Sequence, residues 1–192
     1  SGGNVALAEP LADAWRSGFG SGSGYRQRIT SGPIAADGSV YTVDAFGHVM
    51  AFSLDRGSRR WSTNSSLPNE RVGNVGGGCA FDGGVLYVAS GMGEIMAMDP
   101  ANGEIKWRAP MPAPARGAPA VADGRIFVPT IQNQLIAFST EDGRMLWTHR
   151  AQSVTAVPLG LPTPAVSAGI VVCGFGAGEL SGMRAEDGRR RQ

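Results

Sequence analysis

Cysteine is scarce in this chain, with 2 in 192 residues, Cys79 and Cys173. That excludes a disulfide framework, and thiols in strands of two separate repeats are expected to be unpaired, buried and inert. Histidine is as rare: His48 and His149 have no second ligand at metal spacing, so exposed or satisfied imidazoles are expected, and no metal site. Charge of one sign is also lacking. With 17 basic and 16 acidic residues the net charge is +1, which gives nucleic acid no electrostatic footprint. No apolar run approaches the roughly 18 residues of a membrane helix. No charged-then-apolar leader opens the sequence, as expected of a soluble or mature form. No serine or cysteine sits in a G-x-S-x-G elbow, which removes the simplest hydrolase reading.

Glycine and proline are abundant, at 29 and 12. They fall at the ends of short apolar segments, where an all-β chain places its turns. Residues 117–147, GAPAVADGRIFVPTIQNQLIAFSTEDGRMLW, read as one complete four-strand antiparallel unit. Ala118–Ala122 is closed by the tight-turn pair Asp123-Gly124, Arg125–Thr130 is rich in strand formers, and Gln134–Ser139 makes the third strand. Glu141-Asp142-Gly143 turns the chain into a fourth strand that carries Trp147.

The spelling recurs in VMAFSLDRGSRRW, ending at Trp61, in IMAMDPANGEIKW, ending at Trp107, and in LSGMRAEDGRRRQ, ending at Gln192. In all four copies a glycine (Gly57, Gly103, Gly143, Gly188) lies four residues before the last position. A tiny residue (Ala51, Ala97, Ala137, Gly182) lies six before that glycine. Trp15, Trp61, Trp107 and Trp147 are 46, 46 and 40 residues apart. Four strands per period of about 40 to 50 residues indicate β-propeller blades. The continuous apolar runs VLYVA and IVVC fit sheets covered on both faces. The tiny residue is expected to leave room for the indole of a neighbouring blade, so that Trp15, Trp61, Trp107 and Trp147 are structural docking residues. Truncating one such indole should cost roughly 3–5 kcal/mol.

The chain therefore divides into one partial propeller domain, residues 1–192, with blades at about 33–63, 78–109, 117–149 and 162–192. Residues 12–17 form an orphan outer strand, expected to supply the strand that the last blade lacks. Three closures stay open: a ring of four blades in one chain, two chains joined as a homodimer, or half of a larger ring. The tightness of a four-bladed ring favours the last two.

With these residues the chain resembles the pyrroloquinoline quinone (PQQ) repeat superfamily, whose blades carry an alanine, an acidic turn, a glycine and a docking tryptophan. Within it, PAVSAGIVVCGFGAGELSGMRAEDGRR and APARGAPAVADGRIFVPT are similar to the BamB family of outer-membrane assembly lipoproteins. The resemblance implies an eight-bladed, non-enzymatic propeller without cofactor in the periplasm. It also implies binding of the barrel-inserting subunit BamA through an interblade loop, which matches PAPARGAPA and makes Pro114, Ala115 and Arg116 the candidate partner contacts. The chain departs from the family in having only about four copies and no lipid-acceptor cysteine near its start.

From this sequence alone a solvent-facing Arg116 is the simpler reading and a partner contact the sharper one. The alternatives to a scaffold are a quinoprotein dehydrogenase fragment and a ligand-sensing propeller. The carboxylate cluster, catalytic aspartate and adjacent cysteines of a PQQ and calcium enzyme are not legible. Asp55, Asp99, Glu141, Asp142, Glu186 and Asp187 all occupy turns, where bonds to nearby amides are expected. GMGEIM and GFGAGE are glycine-rich but open no helix, so they are weak phosphate-loop signals. Arg184, Arg189, Arg190 and Arg191 read as a solvated terminus, or alternatively as a basic docking patch.

Overall fold

The structure, a computed structural model, describes residues 32–44, 47–65, 77–151, 163–175 and 179–190. These form fifteen antiparallel strands in four sheets, each a simple meander in chain order. Blade 1 contains β1 (Ile34–Ala36), β2 (Ser39–Val43), β3 (His48–Ser53) and β4 (Arg59–Asn64). Blade 2 contains β5 (Gly78–Asp82), β6 (Val85–Ala89), β7 (Glu94–Met98) and β8 (Ile105–Pro110). Blade 3 contains β9 (Ala120–Ala122), β10 (Arg125–Pro129), β11 (Gln134–Ser139) and β12 (Met145–Arg150), and blade 4 contains β13 (Ala165–Ser167), β14 (Ile170–Gly174) and β15 (Leu180–Arg184).

The first strands stand side by side, β1 by β5, β5 by β9 and β9 by β13, so the blades radiate from them and the fourth strands form the outer rim. This is the all-β propeller arrangement expected from the repeats.

Local chemistry sets the strand boundaries. The first hairpin of each blade turns on two residues of positive φ: Asp37-Gly38, Gly83-Gly84, Asp123-Gly124 and Ala168-Gly169. That is the type I′ geometry, whose twist matches the flanking strands. Each complete blade has one irregularity, between Ala51 and Phe52, Ala97 and Met98, or Ala137 and Phe138, just after the tryptophan's register partner. The turns also use the acidic side chains: Asp99 Oδ1 accepts the Ala101 amide, Asp142 Oδ1 that of Arg144 and Asp187 Oδ1 that of Arg189.

Between neighbouring blades lie three apolar layers. Tyr41, Val49, Leu86, Val88 and Met96 pack between blades 1 and 2; Tyr87, Ile95, Ile126, Val128, Ile136 and Phe138 between blades 2 and 3; Phe127, Leu135, Val171, Cys173 and Met183 between blades 3 and 4. The run VLYVA of β6 is buried along nearly its whole length because blade 2 is covered on both faces. In β14 burial alternates, since among the described residues blade 4 is packed on one face only.

The docking of the indoles corrects one expectation. Ala51, Ala97 and Ala137 are the cross-strand partners of Trp61, Trp107 and Trp147 in the same blade. Room in the next blade is made instead by the turn glycine. A Cβ built on Gly143 would lie 2.6 Å from Trp107 Cζ3, and one on Gly188 2.7 Å from Trp147 Cδ2; one on Gly103 would overlap the ring of Trp61. At Gly182 the corresponding space holds no indole: a Cβ there meets only Ile170 Cγ2, at 3.9 Å. Each ring also donates its N–H across the joint, Trp61 to Pro100 O at 2.8 Å, Trp107 to Thr140 O at 3.2 Å and Trp147 to Ala185 O at 2.9 Å. Trp15 and residues 12–17 lie outside the described residues. Arg190 pairs with Met183 at the register position of Arg59, Ile105 and Met145.

Candidate functional site

Antiparallel order puts the turns between second and third strands, and the connections between blades, at one end of the sheets. The hairpins that hold the indoles are at the other end. The site lies at the first end, where the connection from β8 to β9 passes between blades 2 and 3. Two backbone bonds tie it to the β6–β7 turn, Met111 N to Gly93 O at 2.8 Å and Ala115 N to Ser90 O at 3.3 Å. Two more tie it to blade 3: Arg116 N to Pro129 O at 2.9 Å, and Ile131 N to Pro114 O at 3.0 Å. Ala115 also bridges Thr130. The bonds come from the sequence: Gly93 and Asn133 adopt positive φ, which closes each adjoining turn tightly enough to face the connection.

Side chains of this connection alternate. Met111, Ala113 and Ala115 are buried, Met111 and Ala115 in the apolar layer between blades 2 and 3, while Pro112 is exposed and Pro114 half-buried. Thus, of the three residues proposed as partner contacts, only Pro114 has free surface in this chain. Arg116 departs furthest from the solvent-facing reading: it is 1 % exposed. Its guanidinium reaches blade 4, where Nη2 donates to Gly174 O and lies 3.7 Å from Cys173 Sγ, and its Cζ stands 6.0 Å from the Phe175 ring centre. The side chain was expected outward because an arginine in a proline-bounded apolar loop normally seeks water; the neighbouring blade supplies a carbonyl and an aromatic face instead. Nε and Nη1 are buried with no acceptor among the described residues. Burial pulls the Arg116 pKa down from its usual value, and the nearby Cys173 partly opposes this. Arginine nonetheless keeps its charge.

A second arginine laces the same end, one that sequence reasoning missed. Arg108 on β8 donates to Glu94 through Nη2 and, at 3.1 Å, through Nε, and its Nη2 also donates to Ser65 O of blade 1 at 2.8 Å. The register partner of Glu94 is Pro110 and that of Arg108 is Met96, so the ion pair runs diagonally across the two strands, set by strand register and invisible to residue spacing.

The remaining candidates fall elsewhere. His48 Nδ1 lies 2.9 Å from Asp44 Oδ2 in blade 1, and the His149 ring packs at 5.7 Å from Phe175. Both cysteines are free and buried, and burial pushes Cys79 up to about 12 and Cys173 up to about 11. Gly91 to Gly93 form a turn between strands that opens no helix. Arg184 and Arg189 pair with Asp187; Arg191 lies outside the described residues.

Residues 45–192 match the family model described as outer membrane protein assembly factor BamB. Among curated relatives, the outer membrane protein assembly factor BamB of Yersinia pestis is 28% identical over 181 residues, covering 91% of this chain and 46% of that protein. The chain therefore spans about half the length of the curated relatives it matches. The crystal structure of BamB from Moraxella catarrhalis superposes with a TM-score of 0.68 at 17% identity, over 87% of this chain and 48% of that one. A quinohemoprotein alcohol dehydrogenase from Pseudomonas putida HK5 gives 0.66 at 17% identity, over 87% of this chain and 34% of that one. At these identities the two superpositions establish the fold alone.

Proposed function

Because the chain belongs to the BamB family of outer membrane protein assembly factors, we propose that it is a non-enzymatic scaffold in the periplasm that binds a BamA-like barrel-assembly subunit through the connection between β8 and β9. The mechanism is rigid presentation of surface, with no bond made or broken. Four blades of an eight-bladed ring would come from this chain, and molar mass in solution tells whether a second copy completes it.

One observation carries the choice of loop: a buried guanidinium with two N–H groups lacking acceptors among the described residues. A buried charge is costly, and an apolar residue of similar volume is often at least as stabilising. A scaffold gains nothing from such a charge unless an acceptor arrives, and a partner carboxylate would be that acceptor. The test is capture of BamA by the wild type and by Arg116→Glu, with Arg60→Glu on the outer rim as control. Wild type and Arg60→Glu should recover BamA and Arg116→Glu should not; equal recovery by all three dismisses Arg116.

The dehydrogenase likeness supports a second reading at the level of fold. Dye reduction with an alcohol on adding PQQ and calcium would favour it over the scaffold.

A further inference from the structure

We propose that two copies of this chain pair edge to edge through β12, antiparallel and about a two-fold axis at Thr148, so that their third blades continue as one sheet. The surface lies on the outer rim, away from the connection between β8 and β9, and the pairing is independent of the scaffold role. β12 ends its sheet, and among the described residues no strand covers its outer side. The bond from Ala151 N to Asn133 O, at 3.1 Å, and the register of His149 with Leu135 and Trp147 with Ala137 turn the main-chain groups of His149 and Trp147 inward. By antiparallel alternation the N–H and C=O groups of Thr148 and Arg150 point outward, a template for a further strand.

The other complete blades guard the same edge. In β8 the alternation set by Met111 N to Gly93 O, at 2.8 Å, turns Arg108 and Pro110 outward. Pro110 has no N–H to offer, and a two-fold axis at Arg108 would set two guanidinium groups against each other. β4 shows exposed Arg59 and Arg60 and no exposed apolar side chain. β12 instead opens with Met145 and Leu146, 54 % and 38 % exposed. Its sequence, MLWTHR, also complements itself. With the axis at Thr148, Leu146 falls opposite Arg150 of the second copy and Trp147 opposite its His149. The arginine stem then covers the leucine while its head group stays in water. The two Arg150 groups stand four residues apart along the sheet, about 14 Å at about 3.4 Å per residue, which exceeds the screening length of about 8 Å. A second copy is therefore the occupant, because each exposed group of β12 meets its complement in β12 itself and no acidic residue of a foreign chain is needed.

Sedimentation of the chain from about 1 μM to about 1 mM should show a reversible monomer–dimer equilibrium. Leu146→Lys and Arg150→Pro, the latter copying the proline of β8, each act twice about the axis and should each weaken the dimer about tenfold. Their urea midpoints should show that the fold is kept. Thr148→Cys should be joined to its copy by a short bismaleimide, whereas Ser62→Cys, at the same place in β4, should not; the native thiols are buried and stay out of the reaction. A wild type that stays monomeric overturns the pairing. Equal dimerisation by both variants, as a ring closed through blade faces would give, overturns it too, as does cross-linking at Ser62→Cys as strong as at Thr148→Cys. A monomer whose Thr148→Cys captures an extended peptide of unrelated sequence would give this edge to a foreign strand and overturn the pairing as well.

Discussion

Replacing Gly143 by alanine tests the interlock on which the propeller depends. Gly143 has φ +77°, and an added Cβ would stand 2.6 Å from Trp107 Cζ3 and 2.8 Å from Ala109 Cβ. Two costs follow. The left-handed conformation is worth about 1–2 kcal/mol against an alanine, and forcing a methyl group into a filled site about 1–3 kcal/mol. The expected loss is therefore about 2–5 kcal/mol. Gly38 separates the two, because its φ is +73° and an added Cβ meets nothing within 4 Å, so Gly38→Ala should show only the conformational part. Trp107→Ala should cost about 3–5 kcal/mol by itself. In that background Gly143→Ala should lose most of its steric part, which gives a coupling of about 1–3 kcal/mol in the double-mutant cycle. Urea unfolding is the assay: at a slope of about 2–3 kcal/mol/M, a 3 kcal/mol loss moves the midpoint by about 1–1.5 M. If Gly143→Ala costs no more than Gly38→Ala, or costs the same with and without Trp107, the indole does not lock the blades.

Two further outcomes follow from the same packing. Ala168 holds φ +48° in a hairpin whose equivalents in the other blades begin with aspartate or glycine. Ala168→Gly should therefore gain about 1 kcal/mol by the same denaturation, and a loss would mean that its methyl group is needed. Native Cys79 and Cys173 should resist a thiol reagent at pH 8 until the protein unfolds, because burial holds them up to about 12 and about 11. For the sign of the pH effect, unfolded thiols ionise near 9.0 while the folded ones keep their protons. That contribution is thus intact below pH 9 and is lost as pH rises toward 12. Serine at both positions should flatten the alkaline limb of stability against pH.

The β6 segment VLYVA and the hairpin pairs such as Asp123-Gly124 could be placed from residue order because strand propensity and turn chemistry act within a few residues. The recurring glycine and tryptophan were legible for the same reason, each repeat writing its own copy. What each indole touches was not legible. Alanine and glycine both offered space, and only the stacking of blades shows that the turn glycine receives the ring while the alanine sits beside it in register. The direction of Arg116 was equally hidden, since its acceptor, Gly174 O, is 58 residues away in another blade. Sequence by itself determined the strands, turns and repeat of this protein, all set by local backbone preference. The tertiary structure alone decided the joints, because those contacts join residues that meet only when one blade is laid against the next.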